Sequence, residues 1–159
     1  MLKLHSSSYP DQGSIPLKYA HTSVKGGKNI SPVFSWTDPP LNTKSFALSL
    51  VDPHPIAKKW VHWFLINIPF RDRKIPEGAS GTDSLPRGSM ELYNTSEEPG
   101  YGGPAPPPGS GAHPYVATLF ALNVEGLKLG KAATLREFQN SLEGKVIEEA
   151  TLTGYFERS

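Results

Sequence analysis

The sequence predicts a mainly β domain, and three observations carry that reading. Apolar residues fall in short runs with alternating or two-sided patterns, which is the signature of strands. The 15 glycines and 16 prolines recur between those runs along the whole chain and fill no low-complexity block, as many short strands joined by shaped loops require. Only one segment has the periodicity and the caps of a helix.

The elements follow in chain order. Shorter strand candidates lie near Lys18–Val24 and Val33–Trp36. In Lys44–Val51 (KSFALSLV), Phe46, Leu48 and Leu50 share a face, and Pro53 stops the run because proline cannot continue a ladder. By the same period of two, Asp52 falls on the Phe46 face, where a carboxylate ending an apolar row is either a turn former or the floor of a pocket. Trp60–Ile68 (WVHWFLINI) is apolar on both faces, as an interior strand is, and Pro69 ends it. Strict alternation places His62 on the face of Trp60, Phe64 and Ile66. From Phe70 to Pro114 apolar runs are few, and a loop of that length in a compact domain is usually functional or poorly ordered. Further strands are expected about Tyr115–Asn123 (YVATLFALN) and Thr151–Glu157 (TLTGYFE). The helix lies between them. Thr134 caps it, Glu137 completes a capping box, Leu135, Phe138 and Leu142 form its apolar stripe, and Gly144 ends it. It is expected to pack on the sheets as a lid. With no repeat and no boundary, residues 1–159 read as a single domain.

Composition narrows the function classes. A net charge of +1 with both signs interspersed offers no face to a polyanion, so no nucleic-acid partner is expected and any anion must be recognised locally. The absence of cysteine removes disulfides, thiolate nucleophiles and sulfur-ligated zinc, and is compatible with a cytoplasmic protein. The opening MLKLHSSSYPDQG lacks the apolar run of a signal peptide, and no run of roughly 18 apolar residues follows. The expectation is a soluble, cytoplasmic chain without an integral membrane segment.

Two segments can carry chemistry. In Tyr101–Tyr115 (YGGPAPPPGSGAHPY), prolines stiffen the backbone, glycines let N–H groups face a ligand, and His113 opens a strand. This is either an anion nest with a titratable donor or a rigid surface linker. Asp52 ends one strand and His62 lies within the next. If the strands pair, the carboxylate can orient the imidazole and raise its pKa; otherwise His62 is a satisfied core residue. None of the five histidines sits in a local metal signature, so no metal site is expected. Serine, histidine and aspartate are all present, but no G-x-S-x-G elbow marks a nucleophile. Phosphate-cradling and dinucleotide fingerprints are also missing, and no cofactor is expected.

Taken in order, IPLKY (Ile15–Tyr19), NISP (Asn29–Pro32), Trp36, TKSFAL (Thr43–Leu48), Asp52-Pro53, WVHW (Trp60–Trp63), YGGPAPP (Tyr101–Pro107) and His113-Pro114-Tyr115 resemble the phosphatidylethanolamine-binding protein family, in its short bacterial and archaeal Raf-kinase-inhibitor-like branch. The resemblance spans nearly the whole chain. It implies two antiparallel sheets in a Greek-key, sandwich-like arrangement with one or two short helices. It further implies a pocket for acetate, phosphate or a phosphoryl headgroup, with Asp52, Trp60, His62, His113 and Tyr115 as ligand-binding residues and Gly103 and Pro104 as a backbone wall. His54, Pro55 and Tyr101 are expected at its mouth.

The chain departs from the family pattern at three places. Asp52-Pro53-His54-Pro55 is one residue shorter than the usual Asp-Pro-Asp-Ala-Pro and exchanges an acid for an imidazole, which makes the mouth more positive. Family members have a cis bond in this loop, and the deletion leaves the isomer before Pro55 open. Ala105 replaces a frequent cysteine and Pro114 a common basic residue. The chain ends at Ser159 without the extra helix of eukaryotic members, whose kinase regulation is therefore not carried over. The leading expectation is a non-enzymatic binding module for a small anion. The alternatives are a protease or kinase inhibitor or scaffold that docks a protein partner through the proline-rich loop, and an ester or phosphoester hydrolase. Short members often pair, so a homodimer is expected.

Overall fold

The computed structural model describes residues 1–159. Nine strands, β1 (Lys3–His5), β2 (Gly13–Ser14), β3 (Phe34–Thr37), β4 (Ser45–Asp52), β5 (Trp60–Pro69), β6 (Lys74–Ile75), β7 (Met90–Glu91), β8 (His113–Leu122) and β9 (Val146–Phe156), form two sheets. The smaller is ordered β1-β3-β6 and the larger β2-β9-β8-β4-β5-β7. Every named pairing is antiparallel except that of the two-residue β2 with β9. This is the mainly β, two-sheet architecture expected from the sequence.

Apolar burial occurs on both faces of the large sheet. Phe34 and Trp36 of the small sheet pack with Phe46, Leu48, Leu50, Trp63, Leu65 and Leu119 in the main core. On the opposite face, Ala47, Val61, Phe64 and Ile66 lie under the helix α1 (Leu135–Leu142) through Phe138 and Leu142. The helix has the predicted caps: Thr134 Oγ1 accepts from the Glu137 N–H, and the Glu137 carboxylate accepts from the Thr134 N–H. Phe138 rests against Phe64 and Phe120, with ring centroids 4.7 and 5.8 Å away. The helix thus closes a second core on the outer face of the sheet.

β5 does not keep strict alternation. Its pairing with β4 steps from Leu50–Trp63 to Val51–Val61, which makes His62 the extra residue of a bulge. A second shift lies between the Phe46–Ile68 and Leu48–Leu65 pairs, where Asn67 takes a left-handed φ of 60°. The bulges change which residues share a face. Trp63, Leu65 and Ile68 face the main core, while Phe64 and Ile66 face the helix. The sequence expectation that His62 shares a face with Trp60, Phe64 and Ile66 is therefore corrected: of these three only Trp60 stays with it, on the side of Asp52.

Lys18–Val24 is not a strand. Pro16 starts a 3-10 turn over Leu17–Tyr19, and the following N–H groups bond locally, Ala20 to Leu17 O and Val24 to His21 O. β9 starts at Val146, five residues before the expected Thr151, because Glu148 and Glu149 on a solvated stretch hide the alternation. The 70–114 segment is held by polar anchors. Glu91 accepts from Trp63 Nε1 at 2.7 Å, Ser80 Oγ at 2.5 Å and the Gly81 N–H at 2.8 Å, and Ser80 Oγ accepts from the Tyr101 N–H. Few apolar residues are needed where one carboxylate fastens three chain segments.

Removing the cap by Thr134→Ala is expected to lower stability by about 1 kcal/mol. Phe138→Ala is expected to lower it by roughly 3–5 kcal/mol in urea unfolding, as for a core aromatic. A loss below about 1 kcal/mol for Phe138→Ala would show that α1 adds no core of its own.

Candidate functional site

Asp52 is the last residue of β4 and His113 the first of β8, and the antiparallel pairing of these strands brings both to one end of the sheet. Both are almost fully buried, at 2% and 1% exposure. A carboxylate in such a place must be paired, and here it is. Oδ2 accepts from His113 Nδ1 at 2.7 Å and Oδ1 accepts from the His54 N–H at 2.8 Å. The ring's other nitrogen, Nε2, lies 2.9 Å from Ser110 Oγ. His54 stacks on His113 with ring centroids 3.8 Å apart.

His62 stands beside this pair, held by a different partner. Its Nδ1–H donates to the Gly102 carbonyl at 2.7 Å, while its own carbonyl accepts the Gly102 N–H at 2.8 Å. The two-way bond fixes the tautomer, so the neutral ring presents Nε2 as an acceptor. Nε2 has no partner, yet it is not among the buried polar atoms sealed without one. Burial lowers the His62 pKa, partly offset by the Gly102 bond and the Asp52 charge. This corrects the expectation that Asp52 orients His62 and raises its pKa: the carboxylate orients His113. Tyr115, edge-on to His62 at 5.0 Å, has a phenol kept protonated by burial and by the Asp52 charge. Its hydroxyl also has no partner, so it remains a free donor.

These groups line a cavity of about 320 Å³. Of the predicted residues, Asp52, Trp60, His62, Gly103, His113 and Tyr115 all contribute to its wall. Pro104 does not, because its carbonyl accepts from the His21 N–H; Ala105, Pro106 and Pro107 line the cavity instead. Tyr101 is also outside, buried in the main core with its hydroxyl donating to the Tyr19 carbonyl at 2.7 Å. His54 and Pro55 do not line it either, and His54 acts from behind His113. The peptide bond before Pro55 is trans, as are all others.

Sequence reasoning missed several wall residues. His21, Ser23, Asn94 and Ser96 come from loops, and Ile56 and Ala57 from the turn after Pro55. Another omission is Asn29, whose amide accepts from the Gly103 N–H at 2.7 Å and donates to the Tyr101 carbonyl at 3.2 Å. It clamps the 101–103 backbone, and its place in NISP was the available signal. Gly103 is required there, since a Cβ would lie 2.2 Å from the Tyr19 carbonyl oxygen. No cluster of three or more His, Cys, Asp or Glu is placed to hold a metal ion, and no helix is long and apolar enough to cross a membrane.

A cavity at one end of a two-sheet β fold, walled by a buried Asp–His pair and a stiff proline-glycine loop, defines the class of protein. Residues 5–157 match the family model for phosphatidylethanolamine-binding protein. The chain belongs to the phosphatidylethanolamine-binding protein family. It is 38% identical over 157 residues to a UPF0098 protein of Methanothermobacter thermautotrophicus, covering 99% of each chain. Among solved structures it is similar to Escherichia coli YbcL, a member of the mammalian PEBP family, with a TM-score of 0.93, 26% identity and 99% of both chains covered. A phosphatidylethanolamine-binding protein homologue from Chlamydia trachomatis gives a TM-score of 0.84 at 29% identity, with 99% and 98% of the two chains covered.

The His62 environment sets a pH dependence of folding. A histidine held neutral in the fold binds a proton more readily when unfolded, so the unfolded state gains protons as pH drops below about 6.5. Stability contributed at His62 is thus present above that pH and lost on acidification. Urea unfolding from pH 7.5 to 5 is expected to show declining stability, with a shallower slope in His62→Gln. Equal slopes in the two proteins would mean that His62 is not held neutral.

Proposed function

We propose that the cavity binds a small anion, namely phosphate or the phosphoryl end of a larger headgroup. The observation that carries this reading is the pair of unpartnered polar atoms in its wall, His62 Nε2 and the Tyr115 hydroxyl, on side chains otherwise buried. A buried side chain that keeps a free polar atom against a cavity is positioned for a ligand atom. The volume of about 320 Å³ lies near the lower end of ligand pockets, roughly 300–1,000 Å³, and suits a headgroup rather than acyl chains. Ile56 and Trp60 also line it and are 55% and 40% exposed, which gives apolar contact to carbon atoms beyond the phosphoryl group.

The protonation state sharpens the chemistry. Tyr115 donates, but neutral His62 offers a lone pair, and two lone pairs facing one another repel. The anion must therefore arrive with a proton on one oxygen, or His62 must take up a proton to become a donor. In both cases the complex of a dianionic ligand holds one proton more than its separated parts. The second ionisation of a phosphate monoester falls near about pH 6, so affinity declines as pH rises above it.

Titration calorimetry with phosphoethanolamine is expected to show affinity falling by up to about tenfold per pH unit from pH 6.5 to 8, with proton uptake on binding. Tyr115→Phe should weaken binding by roughly 10- to 100-fold, as expected for a hydrogen bond to a charged group, and His62→Ala should abolish it. Affinity that is flat with pH and equal in both variants would end the proposal.

A further inference from the structure

The sequence has no nucleophile elbow, yet folding builds a linear relay of a serine, a histidine and an aspartate beside the cavity. Ser110 Oγ is 2.9 Å from His113 Nε2, and His113 Nδ1 is 2.7 Å from Asp52 Oδ2. The order of atoms is the one that activates a serine: hydroxyl to one ring nitrogen, carboxylate on the other. The orienting half is rigid, because Asp52 and His113 are buried and the second carboxylate oxygen is fixed by the His54 N–H.

The serine itself sits differently. It lies between Gly109 and Gly111, whose φ values of 79° and 83° turn the chain sharply on either side, and it keeps partial exposure to solvent. The two glycines carry the left-handed turn, and Ser110 itself has no positive φ. The N–H groups of Gly109, Gly111 and Ala112 have no partner within the protein. They are unpaired donors on the same turn as Ser110. The Ser110 hydroxyl also lies 2.6 Å from the Pro107 carbonyl, so its one hydrogen can point to Pro107 or to His113 without movement of heavy atoms.

We propose that Ser110 is the nucleophile of a second activity, the hydrolysis of small carboxylic esters at the rim of the cavity. Ser110 Oγ bonds to the ester carbonyl carbon as its proton passes to His113 Nε2. The tetrahedral adduct collapses, the carbon–oxygen bond to the alcohol breaks, and His113 returns the proton to the departing alkoxide. Water, deprotonated by His113, then attacks the acyl-Ser110 ester, releases the carboxylic acid and restores the hydroxyl. Asp52 positions the ring throughout and does not exchange the proton. The proposal does not rest on phosphate binding: Asp52 and His113 line the cavity, but the ligand contacts proposed above are His62 and Tyr115, and Ser110 lies outside the wall.

The test uses the full chain with 4-nitrophenyl acetate as substrate and a fluorophosphonate as covalent probe. The expected results are a burst of nitrophenol equivalent to the protein, a single phosphonyl adduct mapped by mass spectrometry to Ser110, and loss of both in Ser110→Ala. Steady-state cleavage should fall by at least about a hundredfold in that variant. Surface histidines also cleave activated esters, but without a burst or a serine adduct. Because Ser110 is a partly exposed loop residue, the alanine variant tests the chemistry without disturbing the core; circular dichroism verifies its fold. Equal cleavage by the wild type and Ser110→Ala would overturn the proposal, as would the absence of an adduct or one on another residue. Ser110 would then be only a positioning residue for His113.

Discussion

The site depends on supplying hydrogen-bond partners to one buried carboxylate. Asp52 lies at the end of an apolar row and is almost without solvent, where an unpaired charge would cost several kcal/mol. Its two oxygens are satisfied by His113 from β8 and by the backbone of His54. That requirement joins the end of β4, the turn that follows and the start of β8. Through His113 Nε2 and Ser110 it also anchors the proline-rich loop. The cavity is the space left where these pieces meet β5.

Within that frame the two histidines are not equivalent, and the difference comes from their hydrogen-bond partners. His113 faces a carboxylate, which favours a ring that donates. His62 faces a carbonyl across a reciprocal backbone pair, and burial keeps it neutral with a lone pair toward the cavity. Similar residues within one small pocket thus take separate tasks. One organises the wall and the loop, and the other leaves a lone pair facing the cavity. This division arises from the bulge in β5, because an unbulged strand would turn His62 to the face of Phe64 and Ile66 and leave the cavity without it.

The loops contribute by rigidity. Asn29 holds the Tyr101–Gly103 backbone from both sides, Glu91 fastens Trp63, Ser80 and Gly81, and prolines restrict the residues between Gly103 and Gly109. A wall made this way is preformed, so the cavity needs no reordering of these loops to stay open. The long 70–114 segment is therefore ordered despite its small share of apolar residues.

The sequence by itself determined the mainly β class, the β4, β5 and β8 strands to within two residues, the capped helix, and six residues of the cavity wall, Asp52, Trp60, His62, Gly103, His113 and Tyr115. These features are local: alternation, caps and proline stops act over a few residues, and the family motifs fix residue order. Tertiary structure alone decided which imidazole meets Asp52, because that choice rests on strand register and on a bulge that no alternation rule marks. It also decided that Tyr101 and Pro104 turn away from the cavity and that loop residues such as His21 and Asn94 turn toward it. The same is true of Ser110, which is only a turn residue in the sequence and gains a histidine and a carboxylate because Asp52, 58 positions earlier, needs a partner at the end of the sheet.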